Sequence, residues 1–347
     1  MYNYLRNLRN EKLFTPSNLL RIFGILIRRP LIGPLKVNID ITDKCDMHCI
    51  MCWYHSPYLE KGNSANKDFF TPLERIKSLA KELKSIKTKI VMLCGEGEPL
   101  LHPHIEEMVE ILRANSLEVE IMTNAHYLDK KRIDYFSKAG LKKIIVSLHT
   151  ADFDTFNMIR PLKTKEDFEI IMGNLLYLKS VRSHKNIPQF FIINVISHLN
   201  YHAVDKMAKL AEDLKVDKII FKPLMLSSGL PEDLKLPCEA IDLLIEKLQK
   251  ISSKTIIPNN IQDYKITLKK IYSGKNFSLT CHIPFSQSVI SLDGDIIGCV
   301  YAKEHNLGNI NESSFANIWF GQKYSEFRKN YYCPQHCLGK AVYPLLI

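Results

Sequence analysis

The sequence predicts an α/β fold on a parallel sheet, followed by a smaller end built on other lines. Two observations carry this. Short apolar runs alternate six times with longer segments of helical period, the signal of strand–helix repeats whose strands run parallel with the helices outside. Past Lys254 the alternation stops, and the chain turns to spaced cysteines, a hairpin signal and an amphipathic stretch. The 347 residues, 46% hydrophobic and 24% charged, are enough to bury roughly three quarters of the unfolded surface. Three parts are expected: an N-terminal segment 1–34, a repeat domain 35–255 and a C-terminal domain 256–347.

The N-terminal segment contains SNLLRIFGILIRRPLIGPL, whose longest uncharged apolar run is six residues, Ile22 to Ile27, too short to span a membrane or to form a signal-peptide core. Arg21, Arg28 and Arg29 make it basic and amphipathic. It reads as a lid helix packed on the domain, or as a segment that meets a membrane surface through residues 19–31 or docks to a partner. Pro30 and Pro34 end it. Strands are then expected near 37–41, 90–93, 119–122, 144–148, 190–196 and 218–222, with helices over 72–86, 104–114, 129–138, 165–181, 202–214 and 238–252.

The net charge is +10 and the pI about 9.0, which favours acidic partners without selecting one. No RNA-binding module is recognisable, so no nucleic-acid partner is expected. Nine cysteines, an odd number at metal-ligand spacings, argue against a disulfide framework and for a reducing, cytoplasmic setting.

The first cysteines lie in ITDKCDMHCIMCWYHSP, directly after the first strand. Cys45, Cys49 and Cys52 have C-x3-C-x2-C spacing. A tetrahedral zinc would need a fourth ligand, His48 or His55; a 4Fe–4S cluster takes three thiolates and leaves one iron open. The spacing and the aromatic Trp53 resemble the signature of the radical S-adenosylmethionine (radical SAM) superfamily. That resemblance implies a partial (β/α)6 TIM-like barrel, a SAM-binding 4Fe–4S cluster, SAM itself, and a flavodoxin or ferredoxin as electron donor.

In parallel barrels the chemistry gathers at the C-terminal strand ends. The second strand runs into VMLCGEGEPLLHP, where glycines let the backbone come close to a neighbour. By resemblance Gly95, Gly97, Glu98 and Pro99 hold the SAM amine. Further along, strand ends offer Asn124, Ser147 and Asn194, the latter two implied for the SAM ribose and carboxylate. Arg160 is a carboxylate partner because a guanidinium grips bidentately. Lys222, after the sixth strand, faces SAM or substrate. His149 reads as a substrate base or as a structural histidine.

At the C-terminal end an Asp293-Gly294 hairpin signal lies between Cys281 and Cys299, and Cys333 and Cys337 close the chain. Four thiolates complete a zinc or a second 4Fe–4S site. The C-x12-G-x4-C start, the LGNI run and the Trp319 helix look like the SPASM extension or its shorter relative Twitch, which implies one auxiliary 4Fe–4S cluster. Cys94 is expected to pack in the barrel. Cys238, at a helix start, is either a hydrogen-atom donor or a surface residue.

The expected function is a radical SAM enzyme that abstracts a substrate hydrogen atom and, through the auxiliary cluster, oxidises or otherwise modifies a small-molecule or peptide substrate. About 35 residues before the barrel are fewer than the leader-recognition domain of many peptide-modifying relatives, which tilts the expectation towards a small molecule or a substrate presented by another protein. A peptide epimerase using Cys238, an RNA-modifying radical enzyme and a non-enzymatic zinc-binding interaction protein are the alternatives.

Overall fold

The computed structural model describes residues 15–59, 69–182, 188–272 and 283–330. Six strands, β1 (Lys36–Asp40), β2 (Ile90–Cys94), β3 (Glu118–Thr123), β4 (Lys143–Ser147), β5 (Gln189–Ile196) and β6 (Lys218–Pro223), stand side by side in chain order and pair in parallel. Their bounds follow the apolar runs closely, because strands covered on their outer face by helices are rich in Val and Ile. The helices are α1 (Pro16–Leu26), α2 (Leu73–Ser85), α3 (Ile105–Ala114), α4 (Lys130–Lys138), α5 (Phe153–Ile159), α6 (Lys165–Val181), α7 (Val204–Asp213), α8 (Ala240–Lys254), α9 (Ile261–Tyr272), α10 (Phe315–Phe320) and α11 (Gln322–Asn330).

Two of these helices were not expected. The seven residues of α5 are too few to show a period; Asp152 caps it, its side chain accepting from the Thr155 amide at 2.9 Å, and Pro161 follows its last turn. The chain of α9 reads as a polar link, yet Ile261, Tyr264 and Leu268 are fully buried at the i, i+3, i+7 spacing of one helical stripe.

Alternation along each strand sends one set of side chains to the helices and the other into the barrel. Val37, Ile39, Val91, Leu93, Val119, Ile121, Ile144 and Val146 belong to the large outer core. Inside, the layers differ in character. At the bottom Glu120 Oε2 lies 2.6 Å from Lys36 Nζ and its Oε1 2.6 Å from Lys143 Nζ. The middle is a small apolar cluster of Met92, Ile145, Ile193 and Ile220. Above it, towards the strand ends, stand Asp40, Cys94, Met122 and Lys222.

Burial alone would raise the Glu120 carboxyl, but Lys36 and Lys143 hold it below its ordinary range. A carboxyl with a depressed pKa adds stability that is full above its unfolded value and is lost as the pH falls through the folded one. Glu120→Gln leaves the buried Lys36 and the half-buried Lys143 without their counter-charge and is expected to cost about 3–5 kcal/mol, read by urea unfolding at neutral pH. The deficit should shrink in acid, where the wild-type carboxyl also takes up its proton.

The C-terminal strands extend the same sheet. β7 (Gln287–Ile290) pairs in parallel with β1, then β8 (Asp295–Ile297) and β9 (Asn306–Asn309) add antiparallel, giving the order β6-β5-β4-β3-β2-β1-β7-β8-β9. The Asp293-Gly294 turn sits between β7 and β8, with Gly294 at φ +89°. β9 occupies the LGN run, which reads as a loop because it is only four residues long and contains Gly308. Trp319 of α10 is fully buried and donates to the Ile32 carbonyl at 3.0 Å, tying this end to the entry of β1.

Candidate functional site

The three-cysteine loop leaves β1 and is held at its edges. Thr42 Oγ1 donates to the Phe69 carbonyl at 2.9 Å, and Asp43 Oδ1 accepts from the Phe69 amide at 2.7 Å. The residue after Cys45 is the main anchor. Asp46 accepts from Asn124 Nδ2 at 3.0 Å, His126 Nδ1 at 2.8 Å and Lys163 Nζ at 3.1 Å. Against the effect of burial, His126 and Lys163 hold its carboxyl at about 2, so it is ionised under all physiological conditions. His48 takes a left-handed backbone, φ +45°.

Burial pushes the Cys45 thiol up, and the Cys52 thiol to about 12, with the neighbouring Cys49 adding to both. Without a metal these thiols stay protonated, so a ligated metal must displace protons. The Tyr54 and His55 amides point at Cys52 Sγ, at 3.4 and 3.3 Å, as donors to a thiolate would. Among the described residues no three His, Cys, Asp or Glu side chains converge on a single-ion site. Three thiolates, each on its own iron, fit a 4Fe–4S cluster with one iron left open.

The glycine turn serves this loop directly. The Gly97 amide donates to the Thr42 carbonyl at 2.9 Å and the Glu98 amide to the Lys44 carbonyl at 2.8 Å. A Cβ on Gly97 would stand 2.2 Å from the Lys44 oxygen, and one on Gly95 2.6 Å from the Thr42 oxygen. Glycine is required here by the approach of the cysteine loop itself. Pro99 opens a short 3-10 turn, Pro99–Leu101, and the buried Glu98 carboxylate accepts from Thr123 Oγ1 at 2.6 Å and from the Asn124 and Leu100 amides at 2.7 and 3.1 Å. Burial nonetheless pushes Glu98 up to about 7. Glu98 thus joins the ends of β2 and β3, and Asn124 Nδ2 ties the end of β3 to Asp46 of the cysteine loop.

At the end of β4 the Ser147 and Leu148 carbonyls accept from Arg160 Nη2 and Nη1, both at 3.0 Å. Arg160 is 1% exposed, stacks on Phe156 at 5.0 Å, and its Nε has no partner. Asn194 Oδ1 accepts from the His149 amide at 3.0 Å while its Nδ2 is buried and unpaired. By alternation Asn194 shares the outer face of β5 with Phe190 and Ile192, so its role is to set the loop after β4. His149 Nδ1 accepts from the Val195 amide at 3.0 Å, and burial, with Arg160 and Lys222, drives its pKa well down. A neutral ring whose acceptor nitrogen is occupied is structural, with only a donor left to offer.

These strand ends and the C-terminal strands enclose one cavity of about 410 Å³. Asn38, Asp40, Met92, Cys94, Met122 and Lys222 line it from inside the barrel; Trp53, Tyr54, Gly95 and Glu96 from the cysteine loop and glycine turn; and Gln287, Val289, Cys299, Tyr301 and Lys303 from the other side. Trp53 meets Tyr301 edge to face at 6.3 Å, and Lys303 Nζ lies 4.1 Å above the Tyr54 ring. Burial raises Asp40, while Lys303 and the Cys94 thiol, 3.4 Å from its Oδ1, act the other way. Asn38 Oδ1 is buried without a partner, which in a cavity marks a place for a polar ligand.

Of the expected ligands at the C-terminal end, Cys299 is described and borders the cavity; Cys281, Cys333 and Cys337 lie outside the described residues. Cys238 is exposed beside the start of α8 and is not among the cavity's lining residues. Asp40 and Lys303 were missed in the sequence. Asp40 was within reach, since KVNID alternates and puts it on one face with Lys36 and Asn38.

Two family models match the chain: the radical SAM superfamily over residues 39–256, and an iron–sulfur cluster-binding domain, SPASM, over 281–339. The tungsten-containing aldehyde ferredoxin oxidoreductase cofactor-modifying protein of Pyrococcus furiosus is 24% identical, the match covering 85% of this chain and 84% of the relative. The GTP 3',8-cyclase of Aquifex aeolicus is 26% identical, over 85% and 93%. Among solved structures, SuiB of Streptococcus suis superposes with a TM-score of 0.67 at 17% identity, over 94% of this chain and 73% of SuiB. Native anSMEcpe with bound AdoMet gives 0.64 at 18%, over 85% and 83%.

Proposed function

The chain belongs to the radical SAM superfamily, and from that premise we propose that it oxidises a polar small molecule, or one residue of a peptide, held in the cavity between Cys52 and Cys299. It is a radical SAM enzyme, with SAM, a SAM-binding 4Fe–4S cluster and an auxiliary iron–sulfur cluster as its cofactors. Bound and reduced, the first cluster and SAM supply a 5'-deoxyadenosyl radical that removes a substrate hydrogen atom.

The observation that carries the proposal is the cavity's position. Trp53, next to Cys52, and Tyr301, two residues past Cys299, touch across it, so one substrate meets both ends of the chain's redox apparatus. Its volume is in the range of small-ligand sites. Asp40 at one wall, with Lys303 and Lys222 at others, suits a substrate bearing both donors and acceptors. An auxiliary cluster with Cys299 among its ligands would supply an acceptor for the second electron of a two-electron oxidation, and Asp40 is the carboxylate placed to take the substrate's proton.

For the substrate, SuiB solved with its precursor peptide SuiA and anSMEcpe solved with the Kp18Cys peptide support a peptide, while the cyclase relatives, named for GTP, support a small molecule. The electron donor in this reading is a flavodoxin or ferredoxin. The exposed apolar stripe within residues 19–31 supports contact with a membrane surface as well.

The test is anaerobic incubation with dithionite and SAM, followed by a screen of deuterated peptides and small molecules for transfer into 5'-deoxyadenosine. Formation of 5'-deoxyadenosine, with deuterium gained from a true substrate, is expected. No 5'-deoxyadenosine from iron-replete protein would sink the reading.

A further inference from the structure

Helix α1 turns its apolar stripe away from the protein. Leu19, Phe23, Leu26 and, one residue past the helix, Ile27 are 48%, 54%, 73% and 45% exposed. They stand at i, i+4, i+7 and i+8, a single stripe on one side. The inward side is held by polar and backbone contacts. Buried Arg21 donates from Nη2 to the Lys87 carbonyl at 2.5 Å and from Nη1 to Asn18 Oδ1 at 3.3 Å. A Cβ on Gly24 would stand 2.8 Å from the Arg29 carbonyl. Leu20, Ile22 and Ile25 flank the stripe and are half-buried, so the outward side is apolar across its width.

Charge identifies what covers it. Arg28 and Arg29 are exposed at the end of the stripe, no Asp or Glu occurs from Lys12 to Ile39, and the whole chain carries +10. Lys87 precedes β2, so the helix lies at the entry ends of the strands.

We propose that α1 docks this enzyme on an anionic bilayer surface, with Leu19, Phe23, Leu26 and Ile27 set at the boundary of headgroups and acyl chains and Arg28 and Arg29 on the lipid phosphates. This docking goes beyond the radical chemistry and stands independently of it.

Flotation of the full chain with vesicles tests it. Wild type is expected to float with a one-to-two mixture of phosphatidylglycerol and phosphatidylcholine, at least tenfold more than with phosphatidylcholine alone. That excess should fall away in 1 M salt, where the screening length is about 3 Å. Phe23→Glu with Leu26→Glu should abolish flotation. Arg28→Gln with Arg29→Gln, which leaves the stripe intact, should reduce binding to the level seen with neutral lipid. Circular dichroism and iron content matching wild type show that the variants fold. Failure of wild type to float, equal binding to both vesicles, or flotation that survives Phe23→Glu with Leu26→Glu would overturn the proposal. So would a wild-type dimer, seen by sedimentation, that Phe23→Glu dissociates, since the stripe would then belong to a second copy.

Discussion

Cys45→Ala is expected to abolish 5'-deoxyadenosine formation and to lower the iron content by about half, from two 4Fe–4S clusters to one. The change is chemically narrow. The loop around Cys45 is fixed by neighbours that the substitution leaves alone: Asp46 keeps Asn124, His126 and Lys163, and the Gly97 and Glu98 amides keep the Thr42 and Lys44 carbonyls. Burial raises the Cys45 and Cys52 thiols in the metal-free loop, so the side chain removed is a neutral one there and circular dichroism should be unchanged. What disappears is one of three thiolates, and with it the holding of the cluster. The assay is chromatography of 5'-deoxyadenosine after reduction with dithionite; cleavage at the wild-type rate would refute the assignment of this loop.

Cys299→Ala is expected to separate the two halves of the reaction. SAM cleavage should persist within a few-fold of wild type while turnover of substrate to oxidised product falls to background. Cys299 borders the same cavity as Trp53 and Tyr54 but lies on the far wall, beyond β8. Its segment is held by packing that the substitution does not touch, since Gly298 lies so close to Phe327 that a Cβ there would meet the ring at 2.3 Å. Paired measurement of 5'-deoxyadenosine and product checks it. Product formed in proportion to 5'-deoxyadenosine would show that Cys299 takes no part in completing the oxidation.

The barrel was legible because its strands obey simple rules. Runs such as IVMLC and KIIVS are apolar where helices cover them, and the helices between them carry a 3.6-residue period. The cysteine loop stands out in the sequence by its spacing and by the aromatic Trp53 after it. Side-chain direction was harder to read. Gly97 and Glu98 stand out as a ligand-holding turn, but that their amides also brace the cysteine loop could not be read from the sequence. Arg160 suits a carboxylate by type, but its two terminal nitrogens go to the Ser147 and Leu148 carbonyls. Lys303 could not be found from sequence: its place beside Asp40 depends on how the turn after Cys299 packs on Trp53 and Tyr54, a contact between residues some 250 positions apart. The outward stripe of α1 was equally hidden, since period reveals which residues share a face and not which way that face points.

Metal analysis of anaerobically purified wild-type protein tests the central claim most directly. Three thiols in one loop of a radical SAM domain, with Cys299 of the iron–sulfur cluster-binding domain across one cavity from them, call for two iron–sulfur clusters. About eight irons per chain, with a brown chromophore bleached by dithionite, is the expected result. Stoichiometric zinc without iron would contradict it and return the protein to a structural zinc-binding role.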